Sequence, residues 1–148
     1  MSTLTRVSVV CAVLSITSFM SGCSKEPDNW LVGQWAFDQA TTRANLPADM
    51  KAQGVPDGVA GEMGKQLTEQ LISQVIGSTM QFTATTMTFT HGNGSRESVR
   101  YKIINRPDAD TLVAEDNDGD VSTFTKSGKY LCIPTTGAVQ FKLYFQPI

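Results

Sequence analysis

Residues 80–90 read Met80-Gln81-Phe82-Thr83-Ala84-Thr85-Thr86-Met87-Thr88-Phe89-Thr90. Met80, Phe82 and Ala84 alternate with Gln81 and Thr83. Met87 and Phe89 then alternate with Thr86, Thr88 and Thr90. Successive strand side chains point to opposite faces, so this rhythm predicts two short strands, each with one apolar face and one hydroxyl-rich face. The same grammar runs to the C-terminus. Val99, Tyr101 and Ile103 alternate with Ser98, Arg100 and Lys102, after a turn at 92–95. Residues 105–108 read as a further turn. Segments 111–116 and 121–126 flank Asn117-Asp118-Gly119-Asp120, a hairpin signal. Lys129 to Ile133 follows Ser127-Gly128. Val139, Phe141, Leu143 and Phe145 then alternate with Gln140, Lys142, Tyr144 and Gln146. This last strand leans apolar on both faces, which predicts cover on both.

Upstream, Trp35 and Phe37 alternate with Gln34, Ala36 and Asp38, a first strand with an aromatic inner face. Residues 39–56 are polar, contain Pro47, Gly54 and Pro56, and read as loop with one turn of helix near Pro47. From about 57 to 76 the period changes. Val59, Met63, Leu67, Leu71 and Val75 step by four, widened by Ile72 and Ile76, so an amphipathic helix is expected to lay that stripe on the sheet. The fold class is therefore mainly β: an antiparallel meander forming a small barrel or strongly curved sheet, with one amphipathic helix between the first and second strands. Closure hides strand edges. Eight strands enclose just enough room for side chains or one small ligand.

The N-terminus carries an address. Met1 to Arg6 holds one positive side chain, Val7 to Met20 is apolar, and Met20-Ser21-Gly22 precedes Cys23. That is the layout of a secretory signal, and its apolar part is shorter than the ~20 residues that cross a bilayer. Met20-Ser21-Gly22-Cys23 resembles the lipobox of bacterial lipoproteins, with Met where Leu is commonest. The resemblance implies cleavage before Cys23 and acylation of Cys23. Ser24, where Asp would favour inner-membrane retention, implies sorting to the outer membrane, facing the periplasm. Three parts are expected: a signal peptide 1–22, a lipidated Cys with short tether 23–29, and a single domain 30–148. Six residues, 24–29, reach at most about 20 Å, so the domain is expected close to the membrane.

The chain of 148 residues has 12 Lys and Arg against 14 Asp and Glu. Loss of the leader with Arg6 leaves 11 basic side chains and a formal charge of −3. No basic run occurs, which disfavours nucleic acid and polybasic headgroup binding. Of three cysteines, Cys11 leaves with the signal and Cys23 takes lipid. Cys132 remains alone in the apolar run 130–133, expected as a buried inert thiol in a domain without disulfides.

Gly33-Gln34-Trp35 at the start of the first strand resembles the Gly-x-Trp signature of lipocalin-like (calycin) proteins. In that superfamily the Trp plugs one end of the barrel and a basic side chain of the last strand stacks on it. The resemblance implies Lys142 for that part. A helix after the first strand is similar to the fatty-acid-binding branch, where helices close the barrel mouth. The resemblance implies a small apolar ligand or lipid, held by Trp35, Phe82, Phe89, Tyr101, Phe124 and Phe141, with Leu112 in the same lining.

No catalytic constellation is legible. His91 is the single histidine, at a strand end beside Gly92, and no spacing links it to Cys132 as base to nucleophile. One His and one thiol do not make a metal site. In the acidic stretch 115–120, a calcium loop with Gly119 sixth puts Ala114 first and Thr125 twelfth, neither a ligand. No phosphate or dinucleotide loop appears. The expectation is a non-enzymatic lipoprotein without cofactor. Its domain binds a small apolar ligand; the alternative is a protein-binding envelope lipoprotein, an inhibitor, immunity protein or accessory subunit, presenting the 115–120 tip or the 39–56 segment.

Overall fold

The computed structural model describes residues 29–54, 59–137 and 139–148. The signal, Cys23 and the tether up to Asp28 lie outside the described residues. Eight strands follow in order: β1 (Gly33–Phe37), β2 (Thr79–Phe82), β3 (Thr86–Thr90), β4 (Arg96–Asp108), β5 (Thr111–Asp116), β6 (Val121–Ser127), β7 (Tyr130–Pro134) and β8 (Lys142–Pro147). Each pairs antiparallel with the next, and β8 closes on β1 through Trp35 opposite Pro147 and Phe37 opposite Phe145. The meander is thus a closed barrel, not an open curved sheet.

Register follows the period-two rule. Trp35 lies opposite Met80, Met80 opposite Phe89, and Leu112 opposite Phe124. The alternating apolar residues therefore share the inner face and form one cluster: Leu31, Trp35, Met80, Phe82, Tyr101, Leu112, Ala114, Phe124, Leu131 and Phe145. Phe89, Ile103, Ile133 and Leu143 pack against it.

β4 runs through 105–108, which the sequence suggested as a turn. Its pairing with β5 shifts register between Ile103 and Asn105 and again between Asn105 and Asp108. Bulges of this kind bend a strand and accept a residue such as Pro107 that has no N–H to donate. The chain actually turns at Ala109-Asp110.

Between β1 and β2 stand two helices, α1 (Gln39–Ala52) and α2 (Val59–Val75). α1 corrects the expected loop over residues 39–52. It starts at Asp38, whose Oδ1 accepts the Thr41 N–H at 2.9 Å. This hydrogen bond from Thr41 holds the Asp38 carboxyl below the usual range. α1 lies on the outer face of β7 and β8. The Tyr144 N–H donates to Thr42 Oγ1 at 3.0 Å, Thr41 Oγ1 donates to the Tyr130 hydroxyl at 3.2 Å, and the Tyr144 hydroxyl reaches Asp49. That cover explains why β8 is apolar on both faces: Phe145 points into the barrel and Tyr144 beneath α1.

α2 lies where the sequence placed its helix, but its orientation differs from the expectation. The buried positions are Gly64, Thr68 and Ile72, the last 0 % exposed. A Cβ at Gly64 would stand 3.4 Å from Met50 and 3.6 Å from Val139. The small side chains thus let α2 approach α1 and the segment before β8 closely. Thr68 satisfies its hydroxyl on the Gly64 carbonyl at 2.7 Å. Met63 (65 % exposed), Leu67 (45 %), Leu71 and Ile76 face solvent.

Candidate functional site

Six side chains were expected to line a ligand cavity. Trp35, Phe82, Tyr101 and Phe124 belong to the central cluster, and Phe89 packs against it. Leu112 belongs to the cluster as well. Phe141 is buried but lies outside the cluster, in the segment before β8. The rings meet one another directly: Phe82 sits edge-on to Tyr101 at 5.8 Å between centroids and to Phe124 at 5.4 Å. Such pairs contribute about 0.5–1.5 kcal/mol beyond area burial. The alternating aromatics that the sequence offered as a ligand lining are in contact as a core.

One end of the barrel is closed by the segment just before β1. Gly33 sits at φ +145, a conformation open to glycine, and there the chain turns into β1. Leu31 is fully buried, and Trp35 Nε1 donates to its carbonyl at 2.8 Å. Asn29 Nδ2 donates to the Tyr101 hydroxyl at 3.1 Å, and that hydroxyl donates to the Thr83 carbonyl at 2.6 Å. Burial raises the Tyr101 phenol above its ordinary pKa. The described chain therefore meets the barrel at Asn29, beside the β2–β3 turn. Asn29 escapes a reading of the sequence, because a lone Asn after Asp28 looks like more polar linker.

Lys142 does not stack on Trp35. It is exposed and pairs with Pro134 near the start of β8, whereas Trp35 lies opposite Pro147 at the other end. Lys142 stands on the opposite face of β8 from Phe145 and at the far end of the strand from Pro147, out of reach of that contact.

Cys132 is 1 % exposed under α1, and burial pushes its thiol up to about 11. His91 stands edge-on to Phe89 at 4.6 Å and bonds Glu97 at 3.2 Å, apart from Cys132. In the acidic hairpin, Asp116 Oδ1 accepts the amides of Asp118 and Asp120 at 2.8 and 3.0 Å, so this carboxylate shapes the turn. Within the 39–56 segment, residues 39–52 form α1, which is docked on β8.

The least satisfied surface is on α2. Leu67, Leu71 and Val139 line a groove of about 380 Å³, together with Gln70, Gln74 and Thr136. Met63 extends the stripe by one turn. A second cleft, about 370 Å³, is lined by Arg100, Tyr101, Lys102, Glu115, Asp116 and Asn117, and Lys102 Nζ pairs with Glu115 there at 2.7 Å. Among the described residues no helix is long and apolar enough to cross a membrane. No family model, no curated protein and no solved structure matches the chain.

Proposed function

We propose that this protein is a non-enzymatic envelope lipoprotein, anchored through an acylated Cys23 at the outer membrane, whose barrel is a solid scaffold and which works through protein contacts at its surface. The observation that carries this reading is the mutual packing of Trp35, Phe82, Tyr101 and Phe124 in one cluster. A carrier needs those faces free for its ligand; a scaffold needs them touching. Exposed large apolar side chains recur every four residues along α2, and a contiguous apolar patch on a soluble domain marks an interaction site.

The test is the composition of protein purified from membranes. Organic extraction is expected to release no lipid in stoichiometric amount, leaving only acyl groups bound covalently to Cys23. A stoichiometric extractable lipid would overturn the scaffold reading. Binding of a small apolar ligand is the second reading, and the groove beside α2 favours it, since about 380 Å³ falls within the range of ligand pockets. A fatty-acid probe displaced by Leu71→Gln would support that version.

A further inference from the structure

We propose that the outer face of β2, β3 and β4 binds an acidic oligosaccharide, with the ligand's anionic groups on Arg96 and Arg100 and its hydroxyls on neighbouring threonine and glutamine side chains. This site is separate from α2 and does not depend on the protein contacts assigned there.

Strand periodicity builds the face. Met80 and Phe82 belong to the inner cluster, so Thr79 and Gln81 point outward. Tyr101 also belongs to it, so Arg96, Ser98 and Arg100, each an odd number of residues away, point outward too. Pairing then aligns rows across the strands. One row runs Ala36, Thr79, Thr90 and Arg96, and the next runs Gln34, Gln81, Thr88 and Ser98. Arg100 stands opposite Thr86. The two arginines thus share a face although no basic run marks them in the sequence.

Charge selects the ligand's sign. Lys102, the next outward cation on β4, pairs with Glu115 at 2.7 Å, and Arg43 pairs with Glu69 at 2.6 Å. Among the described residues the guanidiniums of Arg96 and Arg100 have no such carboxylate, and neither row contains an acidic side chain. A planar guanidinium fork fits carboxylate or phosphate. The rest of the lining selects hydroxyls. A cleft of about 190 Å³ beside Arg96 is lined by Gln34, Thr79, Gln81, Thr88 and Thr90, with Met80 and Ile148 completing it. Thr88 bonds Ser98 at 2.8 Å; among the described residues the other four polar side chains have no protein partner. The cleft is smaller than the roughly 300 Å³ at which whole-ligand pockets begin, so it takes one unit of a longer chain. Arg96 and Arg100 lie four residues apart, about 13 Å along the strand, which also asks for more than one unit.

Other polyanions fit less well. Single-stranded nucleic acid stacks its bases on aromatic side chains, and these rows contain none. An extended acidic peptide adds to a free sheet edge, and the closed barrel has no free edge. An acidic sugar chain uses both the paired charges and the uncharged hydrogen-bonding groups.

Calorimetric titration of the purified full-length protein tests this with three probes: a tetramer of galacturonic acid, an uncharged galactose tetramer and tetraglutamate. The galacturonate tetramer is expected to bind, and to bind more tightly than either of the others. Arg96→Gln and Arg100→Gln are each expected to weaken it about tenfold or more, the size of a lost charge-assisted hydrogen bond. Thr90→Val keeps the shape, removes one hydroxyl and is expected to weaken it about fivefold. Leu71→Gln, on α2, is expected to bind like the parent chain, and unchanged unfolding midpoints confirm that the variants fold. Absence of binding, or Arg96→Gln and Arg100→Gln binding like the parent, overturns the site. Tetraglutamate binding as tightly as the galacturonate tetramer, or Thr90→Val binding like the parent, shows a face that reads charge alone and overturns the sugar. Loss of binding in Leu71→Gln moves the ligand to α2 and overturns the placement.

Discussion

Thr42 in α1 and Tyr144 in β8 lie 102 residues apart and are joined by one hydrogen bond, the Tyr144 N–H donating to Thr42 Oγ1 at 3.0 Å. The Tyr144 carbonyl accepts the Asp38 N–H at 2.8 Å. Both backbone groups of Tyr144 are thus taken by the start of α1, where β1 has already ended. Thr42 is completely buried, so water cannot replace its hydroxyl. Thr42→Val, which keeps shape and removes the acceptor, is expected to cost about 1–3 kcal/mol in urea unfolding. Thr42→Ser is expected to cost less because it keeps the oxygen.

This contact also shows where sequence reading stops. α1 has no apolar stripe, holds Pro47 in its interior and is kept in place by Thr41, Thr42 and Asp49 on β7 and β8. Those are contacts between distant parts of the chain, and no local period records them. The strands were legible because a barrel wall has one wet and one dry face, and Met80, Phe82, Phe89 and Phe124 report it directly. On α2 the spacing was right and the inference from it was not. Large apolar residues at four-residue steps suggest a buried face, yet close helix packing is made by Gly64 and Thr68. Glycine scored only for its helix propensity hides that role. Of the candidate ligand lining, Trp35, Phe82, Tyr101 and Phe124 join the central cluster and Phe141 does not; whether inward side chains touch or leave room is set by barrel shear and rotamers, which the sequence does not display.

Gly92, in the β3–β4 turn, approaches the end of α2 so closely that a Cβ there would collide with the Ile76 carbonyl oxygen. Backbone on both sides leaves little room to yield. Gly92→Ala is expected to lower stability by about 1–3 kcal/mol. Gly94→Ala, with open space around its Cβ but φ +86, tests backbone strain at the same turn. Unfolding midpoints of the two variants separate collision from strain.

Alkali should loosen the α1 layer. Burial pushes the Cys132 thiol from 9.0 up to about 11 and, with Asp49 adding to the effect, the Tyr144 phenol from 10.0 up to about 12. Both groups ionise sooner in the unfolded chain, so the unfolded state binds fewer protons in this window and stability falls with rising pH. It is fully present below about pH 9 and is lost progressively toward pH 11–12. Thermal midpoints across that range should fall less steeply in Cys132→Ala. Below pH 9, Cys132 is expected to resist alkylating reagents until the protein is unfolded.

The anchor is tested by Cys23→Ser. With the thiol gone, the acylated mature form should disappear on mass analysis and the protein should leave the detergent-soluble membrane fraction. Unchanged mass and fractionation would remove the lipoprotein reading.

The central claim is that the barrel interior is a filled core, and the unfolding free energy of Phe82→Ala measures it most directly. Phe82 is 2 % exposed and meets both Tyr101 and Phe124 edge-on. In a filled barrel its truncation leaves a cavity and costs about 3–5 kcal/mol, with Phe82→Leu costing less and remaining foldable for comparison. A loss below about 1 kcal/mol, the range of surface changes, would mean that Phe82 borders open space, and the barrel would then be a ligand cup.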